Sequence, residues 1–219
     1  MNYYILLNNR NLKGISTPVN AVLAETYKKE DPFPAMKYEW TKPRDFDRNY
    51  PSNLFFIVKG EKKFVLDYTF YWNGFIISQK FKDLLDKCNV PNYKQSKLTV
   101  VNIKGEDISN STDYYFIEMR GNTVDAIDYN KSDFILDTNM IEMRGLTIDE
   151  VEKSDNYYGH IKKYEKISLK DTNVEFDIFP LKDIILHDLV CNEDVKTIID
   201  ERFPSIKVIS LDNVEEYRK

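Results

Sequence analysis

Apolar positions along this chain fall in short runs bounded by Asn, Gly, Pro or charged residues, the pattern of brief strands and small helices rather than of long ones. NYYILL (2–7) reads as an opening strand closed by the polar turn NNRNLKG. NLFFIVKG (53–60) and KKFVLDYTFYWNGFIIS (62–78) return to strand composition. Between FYW and FII, the pair Asn73-Gly74 is the strongest hairpin signal in the chain, because both residues tolerate a positive φ. KLTVVNI, DYYFIEM, HIKKYEKISL, VEFDIFPL and IKVISL supply further strands, the fourth weakened by Pro180. GNTVDAIDYNKSDF (121–134) predicts a turn and short extended pieces. Residues 31–52, with Pro32, Pro34, Pro43 and Pro51 among mixed charges, predict little regular structure.

Helical spacing enters at two related places. In IISQKFKDLLDKCNVP (76–91), Ser78 stands where an N-cap belongs, Phe81, Leu84, Leu85 and Cys88 share a face, and Pro91 sets the limit. In LVCNEDVKTIIDERFP (189–204), Asn192 takes the cap position, and Val195, Ile198, Ile199 and Arg202 follow along one face. Thr147 and Glu150 form a capping box for a third, short helix. Strand, capped helix, Pro, strand therefore occurs twice. The pattern has two readings, a duplicated or pseudo-symmetric architecture and a generic strand-to-helix junction used twice, and the residues leave both open. The predicted class is α+β: mixed, mostly antiparallel sheet with a few short helices. The length predicts a single domain over 1–219, within which 1–72 is a candidate β-rich N-terminal subdomain.

Composition narrows the function classes. The chain has 219 residues, 42% hydrophobic and 31% charged, enough for a core without staples, and seven Gly leave little room for flexible linkers. A net charge of -5 with acids and bases interleaved argues against nucleic acid as a partner and leaves a basic protein open. Two cysteines give no disulfide framework, which points to a reducing, cytoplasmic setting. MNYYILLNNR lacks the basic start of a signal peptide, and no run is long enough to span a membrane.

Candidate chemistry is sparse. His187 and Cys191 lie four residues apart, which on a strand separates them by roughly 13 Å, beyond the reach of a Cys–His pair. DYNKSDF (128–134) opens like a calcium loop but has Asp133 where Gly is required and Asn139 where a bidentate Glu is required, so a hydrogen-bonded turn is expected. Glu61-Lys62-Lys63 has the acid-x-Lys form of some metal nucleases, but it abuts Gly60 in a turn. No zinc spacing and no glycine-rich phosphate loop occurs. No catalytic residue, metal ligand or cofactor is therefore assigned. Aromatic residues are plentiful, and those in a loop have the least core to enter. Trp40, Arg44, Phe46, Arg48 and Tyr50 in the proline-rich segment are thus the candidate partner-binding residues.

Four features, YYILL, FIISQKFKDLL, YYFIEMRGNTVDAIDYNKSDF and IFPLKDIILHDLVCNEDVKTIID, resemble a bacterial immunity-protein family, formerly a domain of unknown function, that accompanies polymorphic toxins. The third is the most specific, with Asp125-x-x-Asp128 and then Lys131-Ser132 after an aromatic strand. The resemblance covers mainly 75–219. It implies a cytoplasmic binding protein without turnover that docks on a cognate toxin domain and blocks it, and it transfers no catalytic residues. Turn formation is the physical role expected of Asp125 and Asp128. Rival readings are a small-ligand or carbohydrate-binding module using stacked Tyr and Trp, and an enzyme built around His187 and Cys191.

Overall fold

Each apolar run becomes a strand where its alternate residues have a layer to pack against. In the computed structural model the described residues are 2–35, 38, 50–119, 123–154, 157–170, 174–183 and 185–214. Among them the elements run β1 (Tyr3–Asn8), β2 (Ala21–Ala24), β3 (Asn53–Val58), β4 (Tyr68–Tyr71), β5 (Gly74–Ser78), α1 (Gln79–Leu85), β6 (Lys94–Asn102) and β7 (Tyr114–Glu118). They continue with β8 (Asp133–Leu136), α2 (Thr138–Met143), α3 (Ile148–Ser154), β9 (Ile161–Lys166), β10 (Ile178–Pro180), β11 (Leu189–Asn192), α4 (Glu193–Arg202) and β12 (Ile206–Ser210). The class is α+β, as expected, and mostly antiparallel. A six-stranded sheet has the order β2-β3-β6-β7-β5-β4, a four-stranded sheet the order β10-β11-β1-β12, and β8 pairs with β9. Within the large sheet β3 and β6 run parallel.

The two similar sequence stretches fold into units of the same topology. In the first, β5 and β6 both run antiparallel to β7, which lies between them, so α1 is the crossover of a split strand-helix-strand unit. In the second, β11 and β12 flank β1 in the same way, and α4 is the crossover. Each unit also carries an outer antiparallel strand, β4 beside β5 and β10 beside β11. The caps are the expected ones: Ser78 Oγ accepts from Phe81 N–H at 3.2 Å, and Asn192 Oδ1 accepts from Val195 N–H at 3.0 Å.

Each unit also has an aspartate directly before its outer strand that ties it to the other. Asp67 Oδ1 accepts from the Ser78 hydroxyl at 2.9 Å, and its Oδ2 accepts from Ser205, just beyond α4. Asp177 Oδ1 accepts from Asn192 Nδ2 at 2.9 Å, and its Oδ2 accepts from the backbone N–H of Asn89, just beyond α1, at 2.7 Å. Every clamp thus binds the cap of its own helix and the chain leaving the other. Replacing Asp177 with Ala strips acceptors from both groups. It is expected to cost about 1–3 kcal/mol in chemical denaturation, because hydrogen bonds to a charged acceptor are lost and donors are left unmet.

Between the two sheets both helices bury their apolar faces in one cluster. Phe81, Leu84 and Leu85 of α1 meet Val195 and Ile199 of α4, with Phe203 just beyond it, and Tyr68, Phe75, Ile77, Leu6, Leu189 and Cys191 from the sheets. The opposite face of the large sheet packs Leu54, Phe56, Val100 and Phe116 over Phe64 and Ile108. The opposite face of the small sheet packs Ile5, Phe179 and Val190 against Ile127, Ile161 and Tyr164.

The expected β-turn is one residue out of place. Tyr71 pairs with Gly74, so Trp72 and Asn73 occupy the centre, and Trp72 has the positive φ of 58°. Gly74 is instead the first residue of β5, where a Cβ would stand 2.2 Å from the Ile117 carbonyl oxygen. The glycine is there for close approach of β7, not for the turn.

Candidate functional site

The sequence placed partner binding in the proline-rich segment, and its roots are well held. Tyr38 packs against two of the apolar clusters. Tyr50 is half-buried, stacked on Phe116 with ring centroids 6.1 Å apart, and its hydroxyl donates to the buried Glu118 carboxylate. Lys94 Nζ lies 5.9 Å from the Tyr50 ring centroid. Trp40, Arg44, Phe46 and Arg48 lie outside the described residues.

The motif Asp125-x-x-Asp128 lines a cleft of about 440 Å³ with Tyr129, Tyr157, Tyr158, Lys170 and Lys182. Only one of the two carboxylates acts within the turn, and it does so by a salt bridge and not by the expected capping of backbone amides. Asp125 bridges Lys170 at 3.1 Å and Lys182 at 3.2 Å, and the Lys170 ammonium, followed by Lys182, holds its pKa below the usual carboxylate range against the opposing effect of burial. Asp128 pairs with Lys131 at 3.3 Å and makes no cap bond to the short helical turn Tyr129–Lys131. Ser132 closes that turn, its hydroxyl donating to the Asp128 carbonyl at 2.7 Å and accepting from Ser168 N–H at 2.9 Å. A one-dimensional reading could not see this, because both lysines of the bridge are remote in sequence. Burial raises the Tyr129 phenol to about 12, so it stays a neutral hydrogen-bonding group.

A neighbouring cleft of about 480 Å³ shares Tyr158 and Lys182 with the first and adds Phe70, Trp72, Asp183 and His187. The His187 ring stacks on Phe70 at 5.0 Å and 15°, and burial depresses its basicity. Cys191 is fully buried in the inter-sheet core, and burial pushes its thiol far up, which keeps it a protonated packing group. Cys88 is likewise raised, to about 11, by burial and then by Asp177. Both cysteines are free thiols. Among the described residues no cluster of three His, Cys, Asp or Glu could hold a metal ion. None of their helices is long and apolar enough to cross a membrane.

What the described residues offer is surface, in aromatic clefts and salt-bridged turns. The family model described as Immunity protein 43 matches residues 7–218, nearly the whole chain. The chain belongs to the Immunity protein 43 family. The match extends over residues 7–74, beyond the main span of the sequence resemblance. A search of curated proteins returns no match.

In this Immunity protein 43 chain one surface element went unnoticed in the sequence. Asp137 caps α2, accepting from Met140 N–H at 3.2 Å, and Gly145 with φ of 71° closes it. The cap and the stop were both legible in DTNMIEMRG, but with only six residues between them the run was too short to show a period. After Gly145 the Thr147–Glu150 capping box, which was expected, starts α3: Glu150 accepts from Thr147 N–H at 2.7 Å, and Thr147 Oγ1 accepts from Glu150 N–H at 3.3 Å.

Proposed function

We propose that this immunity protein acts in the bacterial cytoplasm by docking on the toxin domain of its own polymorphic toxin system and blocking it, as a stoichiometric binder and not an enzyme. The observation that carries the reading is family membership over residues 7–218. The buried, raised thiol of Cys191 and the stacked His187 agree with it, since both groups serve packing. In this reading the segment with Trp40, Arg44, Phe46 and Arg48 is one contact with the toxin, rooted by Tyr50. The whole chain, 1–219, works as a single binding unit.

Co-expression with the toxin domain encoded beside this gene tests the proposal. Cells are expected to survive, and the two proteins to co-purify through gel filtration. Death of the cells together with recovery of the two proteins apart would overturn it. Clear binding in a glycan screen, with no toxin complex, would instead favour a carbohydrate module using the cleft lined by Trp72 and Tyr158.

A further inference from the structure

The α2–α3 hairpin combines two features of a docking element. The first is exposure of apolar side chains. From Glu142 to Glu150 every residue is exposed, including Met143 at 81%, Ile148 at 41% and Leu146 at 37%. Only Ile141 and Val151 of the two helices are buried. The hairpin is fixed at its base, where Asp137 N–H donates to the His160 carbonyl at 2.7 Å and the Arg144 guanidinium lies 3.4 Å from the His160 ring. Exposed methionine and branched aliphatics on a short helix pair tied down at its base resemble the anchors of a protein interface.

The second feature is charge. Residues 137–154 hold Asp137, Glu142, Asp149, Glu150 and Glu152 against Arg144 and Lys153, a net of three negative charges in a chain whose total is -5. The proline-rich segment 31–52, by contrast, is balanced, with four acids and four bases. An acidic, apolar hairpin repels nucleic acid and anionic lipid, and it repels a second copy of itself across a two-fold contact. A basic protein surface is the occupant that both features fit.

We infer that the α2–α3 hairpin is a docking element for the toxin, inserting Met143, Leu146 and Ile148 against an apolar patch on a basic face; this rests on the immunity reading above. The acids steer encounter, and the aliphatic side chains hold the complex. Binding of the purified toxin domain to the full-length protein, followed by surface plasmon resonance, tests it with two variants. Met143→Glu is expected to weaken binding on the order of 10-fold or more, mainly through faster dissociation. The pair Glu142→Lys and Glu152→Lys is expected to slow association by a similar factor and to flatten its dependence on salt. All three positions are exposed, so the thermal midpoint should stay near wild type. Wild-type affinity in both variants would overturn the inference while leaving the immunity reading intact. No binding by the wild-type protein would remove the immunity reading itself. A wild-type dimer that Met143→Glu dissociates would assign the hairpin to self-association, which also overturns the inference.

Discussion

Phe81→Ala is expected to cost about 3–5 kcal/mol and to lower the thermal midpoint by roughly 6–20 °C, the range for emptying a fully buried aromatic site in a domain of this length. Phe81 is 0% exposed and sits where the two units meet. Its ring lies edge-on to Phe203 at 5.7 Å and tilted against Tyr68 at 5.4 Å, so one truncation removes contacts to α1's own sheet and to the end of α4. The cavity cannot close easily. The helix is held at its start by Ser78 and Asp67, and the chain beyond it is held by Asp177 through Asn89. Melting followed by circular dichroism checks the value, and a loss below about 1 kcal/mol would mean that the inter-sheet core can collapse around the gap. Phe81→Leu, which keeps most of the volume, should recover more than half of the loss.

Much of the fold was legible because its signals are local. The caps at Ser78, Asn192 and Thr147 each announce a helix within three residues, and each is made as read. Strands such as Tyr3–Asn8 and Tyr114–Glu118 are aromatic and β-branched runs with clear ends. Pairing was not legible, since it joins distant residues. Nothing in YYILL says that it will lie between β11 and β12, yet that insertion is what makes the second unit match the first. The short strand Ala21–Ala24 was missed because four small or aliphatic residues at a sheet edge carry no period. KKFVLDYTFY has strand composition throughout, but only Tyr68–Tyr71 forms a strand. Phe64 and Leu66 instead plug the outer core as irregular chain, which the same composition permits.

The surface was less legible than the core. Loop composition pointed to residues 40–50, and of those only Tyr50 falls within the described residues, as a half-buried root. The acidic hairpin escaped notice because charge was averaged over the chain, where -5 is unremarkable, instead of being counted element by element. Asp125 and Asp128 were expected to form a turn, and Asp128 acts within it through Lys131 while Asp125 does not. Aspartates near a turn are normally read as caps for nearby amides, and here they bind lysine side chains, two of them from distant parts of the chain.

Gly74 separates the two readings of the hairpin, and its replacement should be nearly as damaging as the loss of Phe81. If its role were a positive φ in the turn, Asn would be a mild substitute, since Asn tolerates that region well. The structure gives another role. A Cβ at this position would meet the Ile117 carbonyl oxygen at 2.2 Å and the Phe116 ring at 2.8 Å. A backbone oxygen cannot swing aside as a lysine tip can, so β5 must separate from β7 around the pair Phe75–Ile117. That pairing joins the α1 unit to the middle of the six-stranded sheet, and Phe75 and Ile117 both belong to the inter-sheet core. Gly74→Ala and Gly74→Asn are therefore expected to destabilise about equally, at or beyond the upper end of the about 1–3 kcal/mol usual for overpacking. Parallel urea titrations of the two variants decide between the roles. Near-wild-type stability for Asn with a large loss for Ala would restore the turn explanation. Equal losses, with amide exchange quickened along β5 and β7, would show that the small residue is required by the neighbouring strand and not by the bend before it.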